Sequence, residues 1–231
     1  MMMNMTSSSK DKLDYIWTTY GIPNRFAAAS FTNYYPTCAS QESARKVCLN
    51  YARNDEAIFK YGKGLFLQGP VGTGKTHLSV ATLRAIVESN IDTFGCRSSE
   101  NPIYGDKEYG GYSCAMISTA ELLELFRQSS SAKKLKHAAV ELHRLAKISE
   151  IIILDDIGIE YPSDWSQELL FSIIDLRYRM QRATILTSNC ALKDLEERLG
   201  KRIVSRVFQM CEGVKVEGED YRKGAPSVLP L

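Results

Sequence analysis

The sequence predicts an α/β fold with a mostly parallel central sheet, and three observations support this prediction. An apolar run at residues 65–67 precedes the pattern G-x-x-x-x-G-K-T at residues 69–76, and a helical pattern follows from His77. Four apolar residues at 151–154 end in two carboxylates. Residues 183–186 form a further apolar run that ends in a polar tripeptide. Short apolar strands that alternate with helical patterns are typical of parallel sheets with both faces covered.

The glycine-rich stretch at residues 69–76 is the signature of a phosphate-binding loop, with a strand before it and a helix after it. Its glycines allow the backbone N–H groups to form a concave nest around a polyphosphate, and the helix N-terminus adds positive potential. Lys75 is expected to reach the β- and γ-phosphates of ATP, and the Thr76 hydroxyl to ligate Mg²⁺. The predicted nucleotide-binding residues here are Gly69, Pro70, Val71, Gly72, Thr73, Gly74, Lys75, Thr76 and His77. The alternative, a glycine-rich turn with a chance lysine, makes the complete match a coincidence.

Polar side chains follow the two other apolar runs at the point where each strand ends. We expect Asp155 to hold Mg²⁺ and Asp156 to polarise an attacking water as a general base. We expect Asn189, which ends the strand at 183–186, to orient that water against the γ-phosphate. A surface turn is the simpler explanation of this asparagine. Because open α/β sheets bind ligands at the carboxyl ends of their strands, we expect these groups to converge.

Composition limits the classes of protein that the chain can belong to. The 231 residues, 44% of them hydrophobic, suffice for one sizeable core, and a net charge of +2 does not indicate a strongly basic nucleic-acid binder. The six cysteines never form a C-x-x-C pair, which predicts free thiols and no zinc site. No apolar run approaches the roughly 18 residues of a membrane span, so we expect a cytoplasmic protein that does not enter a membrane. We divide the chain into an extension or arm at residues 1–37, which could bind a partner, and an ATPase domain at 38–231.

Periodicity places the remaining elements. Residues 1–10 are expected to be frayed, and the apolar cluster at residues 15–20 to dock on the core or on a partner. A strand is expected at residues 113–117, and the glycine-rich stretch 92–112 reads as a loop insertion. Helices are expected from Ser40, as N-cap, to about Asn54; from His77 to about Asn90; after a capping box at 118–121; from Trp165 to about Gln181; and at 192–199, before Gly200.

Two basic groups lie outside the loop. Lys133 and Lys134 belong to a cation run that is either a solvated face or part of a binding surface. Arg202 and Arg206 are four residues apart and therefore share one helical face, which is also compatible with ordinary surface arginines.

Between Gly21 and Arg222 the chain resembles the DnaC/DnaI-type replicative helicase loaders. These loaders are a branch of the AAA+ ATPases that also contains the IstB-like transposition ATPases. The segments that carry the resemblance are Gly21-Ile-Pro23 with Arg25-Phe26, residues 69–78, Leu154-Asp-Asp-Ile-Gly158, Thr187-Ser-Asn189, Leu199-Gly-Lys-Arg-Ile203 with Ser205-Arg206, and Gly218-Glu-Asp-Tyr-Arg222. The resemblance implies a P-loop NTPase of the AAA+ type, a three-layer sandwich with a minimal or absent helical lid. It also implies ATP and Mg²⁺ as cofactors.

The resemblance also implies roles for particular residues. Asn189 matches the sensor-1 position, and Arg222 matches the sensor-2 arginine that reaches the γ-phosphate. Arg206 matches the arginine finger that completes a neighbouring subunit's ATP site, which implies a homo-oligomer, and Arg202 is its companion. The residues that fall where such loaders contact single-stranded DNA are Phe126, Ser163 and Trp165, with Lys133 and Lys134 near them. An aromatic side chain would stack on a base and the lysines would pair with phosphates. The alternative is that Phe126 and Trp165 are both core residues.

Departures from the family pattern qualify the functional prediction. Only about 20 residues precede Gly21, where loaders carry a longer helicase-binding region, so residues 13–20 are the candidate helicase-binding element. Asp156 stands where many AAA+ proteins carry Glu, which predicts slow ATP hydrolysis.

The leading prediction is an ATP-dependent loader that delivers a hexameric replicative helicase onto single-stranded DNA. The alternative is an IstB-like ATPase that regulates a transposase on duplex DNA. A third interpretation, a monomeric small-molecule kinase, does not explain the arginine pair at 202 and 206.

Overall fold

The sheet sets the positions of all the predicted site residues. The computed structural model describes residues 7–19, 21–94, 112–128, 133–158 and 163–224. Within these ranges, five parallel strands form one sheet in the order β2-β3-β4-β1-β5. The strands are β1 (Gly64–Gln68), β2 (Cys114–Ser118), β3 (Ile151–Asp155), β4 (Ala183–Ser188) and β5 (Cys211–Lys215). The prediction of an α/β fold with a mostly parallel sheet is confirmed.

Helices cover both faces of the sheet. The α-helices of the described ranges are α1 (Ser7–Thr19), α2 (Ala39–Ala52), α3 (Lys75–Ser89), α4 (Thr119–Gln128), α5 (Lys133–Ile148), α6 (Asp164–Arg179), α7 (Leu192–Leu199), α8 (Lys201–Met210) and α9 (Tyr221–Gly224). A short 3-10 helix at Asn24–Phe26 and a π-helix at Glu56–Lys60 accompany them. Leu65 and Leu67 of β1 pack in one core with α1, α2 and α3, whereas Phe66 packs in a second core with α4 to α8. This alternation follows from the two-residue period of a strand and gives the predicted three layers. No helix among the described residues is long and apolar enough to span a membrane.

The N-terminal segment is more ordered than its sequence predicts. Residues 1–6 and Tyr20 lie outside the described residues, but the frayed start that we expected through residue 10 is wrong from Ser7 onwards, where α1 begins. Leu13, Ile16 and Trp17 are 4%, 0% and 5% exposed and belong to the core that contains β1. Their i, i+3, i+4 spacing forms the buried stripe of α1. Ile16 and Trp17 of the apolar cluster therefore dock on this chain's own core, whereas Tyr15 is 59% exposed.

Helix boundaries shift slightly from their predicted positions. The N-cap of α2 is Cys38, so the predicted Ser40 cap is wrong. The Ser40 hydroxyl instead donates to the Lys215 carbonyl at 3.1 Å and accepts from the Glu217 N–H at 3.0 Å, which ties α2 to the end of β5. Helix α6 begins one residue before Trp165. Most of the loop insertion expected at 92–112 lies outside the described residues.

Candidate nucleotide-binding site

The loop between β1 and α3 depends on its glycines. Gly72 and Gly74 have φ values of 79° and 90°, in the left-handed region that L side chains rarely adopt. A Cβ at Gly69 would lie 2.0 Å from the Val216 carbonyl oxygen, and one at Gly74 would lie 2.7 Å from the Tyr34 ring. The backbone of the loop is therefore both left-handed and closely packed, as a phosphate-binding nest requires.

Lys75 is the first residue of α3, and its ammonium group lies within the loop. The side chain is 5% exposed. Its Nζ donates to the carbonyl oxygens of Gly69 and Pro70 at 2.8 and 2.7 Å, and to Asn189 Oδ1 at 2.5 Å. The ammonium thus crosslinks the loop to the end of β4.

Thr76 and Asp155 form the second part of the site. The Thr76 hydroxyl donates to the Asp155 carboxylate at 3.0 Å, and the Thr187 hydroxyl donates to it at 2.7 Å. Burial raises the pKa of Asp155 above its ordinary value, and the hydroxyl of Thr187 opposes that rise. A hydroxyl beside a carboxylate fits Mg²⁺, which usually takes one or two protein oxygens and completes its shell with water and phosphate.

Asn189 connects the two parts. Its Nδ2 donates to Asp156 Oδ1 at 2.9 Å, while its Oδ1 accepts from Lys75. Asp156 has a left-handed φ of 57°, and its N–H donates to the Thr187 hydroxyl at 2.8 Å. Because β3 and β4 are neighbours in register, the structure brings Lys75, Asp156 and Asn189 together. Thr187, which contacts both aspartates, was not predicted as a site residue; its polarity at the end of a buried strand was the available signal.

The segment after β5 packs against the loop. The Tyr221 N–H donates to the Gly72 carbonyl at 3.0 Å, and a Cβ at Gly72 would lie 1.7 Å from the Asp220 carboxylate. Arg222 therefore lies beside the loop, where its Nε donates to Asp220 Oδ1 at 3.0 Å. Sequence reasoning missed Asp220 and Tyr221, because their contact with the loop spans about 150 residues of chain.

His77 contacts the N-terminal segment. Its Nε2 is 3.1 Å from the Ser30 carbonyl oxygen, and its ring lies 5.4 Å from the Tyr34 ring. The Tyr34 hydroxyl in turn donates to the Thr73 carbonyl at 3.3 Å. In this arrangement His77 fixes the segment at 30–34 against the loop.

The arginine pair lies on α8, on one face, and contacts α6. The Arg206 guanidinium pairs with Asp175 at 2.8 Å, and both Arg206 and Arg202 lie over the Phe171 ring, at 4.8 and 4.1 Å from its centroid. These contacts hold the two guanidinium groups against α6 and do not involve this chain's own loop.

The candidate DNA-contacting residues differ in exposure. Phe126 is partly buried in the second core and makes an edge contact with the His143 ring at 5.4 Å. Ser163 is the N-cap of α6, since its hydroxyl accepts from the Ser166 N–H at 3.2 Å. Trp165, in the first turn of α6, is 42% exposed.

Lys133 and Lys134 begin α5, but their side chains lie outside the described part of the structure. Of the two aromatic candidates, Trp165 presents more surface to a ligand than the partly buried Phe126.

The fold and the loop define a P-loop ATPase of the AAA+ class. A family model for the IstB-like ATP binding protein matches residues 109–227, which is just over half of the chain. This protein therefore belongs to the IstB-like ATP-binding family. ATP binding is the activity that the description of this family names.

Individual relatives have two kinds of names. The chain is 25% identical over 194 residues to the insertion sequence IS232 putative ATP-binding protein of Bacillus thuringiensis. This alignment covers 82% of this chain and 64% of that relative. It is 23% identical over 197 residues to the replicative helicase loader DnaC of Buchnera aphidicola, which covers 85% of this chain and 70% of that one. A crystal structure of the DnaC helicase loader superposes with a TM-score of 0.63 at 30% identity, covering 84% of this chain and 99% of that chain.

The buried carboxylate of Asp155 makes stability depend on pH in a defined direction. Because its pKa is raised in the folded protein, its contribution to stability is present below the unfolded value of 3.8 and is lost as pH rises through the folded pKa. Asp155→Asn should therefore raise the free energy of unfolding at pH 7.5 in the absence of Mg²⁺, by an amount that shrinks as the pH falls through the folded pKa of Asp155. Urea unfolding at pH 7.5 and over a series of lower pH values measures this difference.

Asp14→Asn, at an exposed position of α1, serves as the matched control and should change little. The same Asp155→Asn variant should lose the extra stability that ATP with Mg²⁺ confers on the wild type. A variant that is less stable than wild type at pH 7.5 would contradict this assignment.

Proposed function

We propose that this protein is an ATP-dependent loader that assembles on single-stranded DNA and delivers a hexameric replicative helicase. The observation that carries the proposal is the similarity to the DnaC helicase loader, which extends over nearly all of that crystallised chain. The relatives named as loaders are longer than this chain, so helicase delivery is inferred.

In the proposed ATP site, each residue has a defined task. Lys75 would pair with the β- and γ-phosphates, and Thr76 with Asp155 would hold Mg²⁺, which supplies positive charge to the phosphates. Asp156 would accept a proton from the attacking water, and Asn189, already bonded to Asp156, would hold that water in line. Because Asp156 and Asn189 are hydrogen-bonded to each other, a γ-phosphate that contacts one of them would change the hydrogen bonds of both residues.

Arg206 would act on the ATP site of a neighbouring subunit. Arg206 lies on α8 and its ion-pair partner Asp175 lies on α6. Because the Arg206 side chain is 25% exposed, the γ-phosphate in a neighbouring subunit would compete with Asp175 for the guanidinium. This competition would make hydrolysis depend on assembly, and ATP would then serve as a timing switch.

A mixing experiment tests the action in trans. Lys75→Ala should lose ATP affinity by roughly tenfold to a hundredfold, as expected for a charge-assisted hydrogen bond of about 1.5–3 kcal/mol. Arg206→Ala should bind ATP but hydrolyse it slowly. A mixture of the two should hydrolyse ATP faster than the sum of the separate variants, because intact loops then meet intact arginines.

Arg45→Ala, which removes a surface ion pair on α2, is the control and should hydrolyse ATP as wild type does. Wild-type hydrolysis by Arg206→Ala alone, or no gain on mixing, would refute the trans arrangement.

Single-stranded DNA would contact the N-terminal end of α6. Trp165 is exposed there beside Ser163, and the first-turn N–H groups of a helix favour phosphate. Phe126 is already packed against His143, so we assign base stacking to Trp165 and phosphate pairing to Lys133 and Lys134 on α5.

Replacing Trp165 by Ala should weaken binding of a fluorescent oligo(dT) by roughly 5- to 150-fold, the loss of about 1–3 kcal/mol of stacking on one base. Fluorescence anisotropy with ATP and Mg²⁺ measures it. Phe208→Ala is the matched control, because Phe208 is 49% exposed on α8, away from this end of α6. Equal affinities for the Trp165 variant and wild type would remove this contact.

A second candidate function is regulation of a transposase on DNA. It is favoured by the family model and by the relative from insertion sequence IS232. Such a protein should prefer duplex over single-stranded DNA in the same anisotropy assay, and a loader should show the opposite preference.

Helicase delivery requires a surface for the helicase. We propose that residues 1–37 form a partner-binding arm of the ATPase domain at 38–231. The apolar stripe of α1 is buried, so the arm would use the opposite face of α1, where Tyr15 is 59% exposed. Co-purification with a candidate hexameric helicase, with and without ATP, tests this, and Tyr15→Ala should reduce recovery. Failure of the wild type to associate in either state would refute the loader proposal.

A further inference from the structure

A series of hydrogen bonds leads from Asn189 and Asp156 away from the nucleotide-binding loop. The Ser188 hydroxyl donates to the Ile157 carbonyl at 2.7 Å, and the Cys190 N–H donates to the same hydroxyl at 3.1 Å. Residues 188–190, which include Asn189, are therefore bonded to the segment that follows Asp156. A change at Asn189 would therefore reach that segment through direct contacts.

The path converges on the carbonyl of Gly158, which accepts from two side chains. Cys190 Sγ and Arg198 Nη1 both lie 3.0 Å from this oxygen. The backbone there is constrained, since Gly158 has φ 88° and a Cβ at this position would lie 2.6 Å from Leu195. Helix α7, which carries both Leu195 and Arg198, therefore packs directly against the segment that follows β3.

Arg198 also contacts the helix that we assign to DNA. Its own carbonyl accepts from Gln167 Nε2 at 2.9 Å. Gln167 lies in the first turns of α6, next to the capping residue Ser163 and the exposed Trp165. One arginine therefore bonds through its side chain to the nucleotide-sensing segment and through its backbone to the DNA-contacting end of α6.

The same residue precedes the arginine-finger helix. Helix α7 ends at Leu199, and Gly200, with φ 85°, is the N-cap from which α8 begins. Arg206 lies in α8, so a shift of α7 would reposition both the N-terminal end of α6 and the finger. Neither of these two hydrogen bonds of Arg198 is with the loop at 69–76.

We propose that Arg198 is a positioning residue that couples the γ-phosphate state, read by Asn189 and Asp156, to DNA affinity at the N-terminal end of α6. This inference rests on the proposed binding of single-stranded DNA. Coupling between two sites typically changes affinity by roughly 5- to 150-fold. By linkage, DNA must then change the affinity for the ATP analogue, relative to ADP, by the same factor.

The test compares the full-length wild type with Arg198→Ala, Arg198→Lys, Gln167→Ala and the control Arg45→Ala. Oligo(dT) affinity is measured with a non-hydrolysable ATP analogue and with ADP, and fluorescent-nucleotide affinity is measured without DNA. In wild type and Arg45→Ala the analogue should strengthen DNA binding over ADP by roughly 5- to 150-fold. In Arg198→Ala this ratio should fall to about 1 while nucleotide affinity without DNA stays within about twofold. Arg198→Lys should retain part of the ratio, because its ammonium can still donate to Gly158. Gln167→Ala should lose part of it.

Each contrary result overturns the inference in a recognisable way. An unchanged ratio in Arg198→Ala shows that coupling does not pass through this residue. If Arg198→Ala and Arg198→Lys both lose nucleotide affinity and both unfold at a lower urea concentration than wild type, the role of Arg198 is purely structural. A wild type that binds DNA equally with both nucleotides removes the coupling but leaves the DNA site intact. A wild type that binds no DNA removes the loader proposal together with this inference.

Discussion

The hydrogen bond between the Lys75 ammonium and Asn189 is the interaction on which the rest of the site depends. It joins the loop after β1 to the end of β4, and the other half of the same amide holds Asp156 at the end of β3. Burial lowers the pKa of Lys75, and the charges of Asp156 and Asp155 oppose that shift. The ammonium therefore attracts both carboxylates, whereas the charge of Asp156 raises the pKa of Asp155, so the ammonium offsets part of the cost of holding two like charges together. In the proposed function, a triphosphate that enters this site would exchange some of these bonds for its own, and its third phosphate would be sensed through that exchange.

Two segments that are far apart in the chain meet at this loop. The rings of Tyr34, from the segment before α2, and Tyr221, from the segment after β5, make a T-shaped contact on the Gly74 side of the loop, with centroids 6.2 Å apart. On the other side of the sheet, α6, α7 and α8 share one core, so the acidic strand end, the exposed Trp165 and the arginine pair belong to one packed layer. The sheet separates these two groups of elements, and the strand ends connect them. ATP and Mg²⁺ would lie at that connection, where both the two segments and the helical layer can respond.

The sequence predicts the loop and the strands β1 to β4 well because their causes are local, whereas β5, which has exposed residues at Glu212, Gly213 and Lys215, was not predicted. Gly72 and Gly74 stand where the turn of the loop requires positive φ values. Runs such as 151–154 are apolar because both faces of β3 are covered. Helix α1 was missed because only a short apolar stripe marks it. The contacts of Thr187 and Asp220 could not be read from sequence, since they join segments far apart in the chain. Arg177 shows the limit most clearly. It is 0% exposed, and burial lowers its pKa to about 9, but it is satisfied by backbone carbonyls that only the fold assembles.

The most direct test of the central claim is the discrimination between ATP and ADP by Asn189→Ala. Calorimetric titration with each nucleotide, in the presence of Mg²⁺, gives the two dissociation constants for the variant and the wild type. If Asn189 senses the third phosphate through Lys75 and Asp156, the wild type should prefer ATP, and the variant should bind ADP normally but lose most of that preference. A variant that keeps the wild-type preference for ATP would show that the γ-phosphate is sensed elsewhere, and the account given for this site would be wrong.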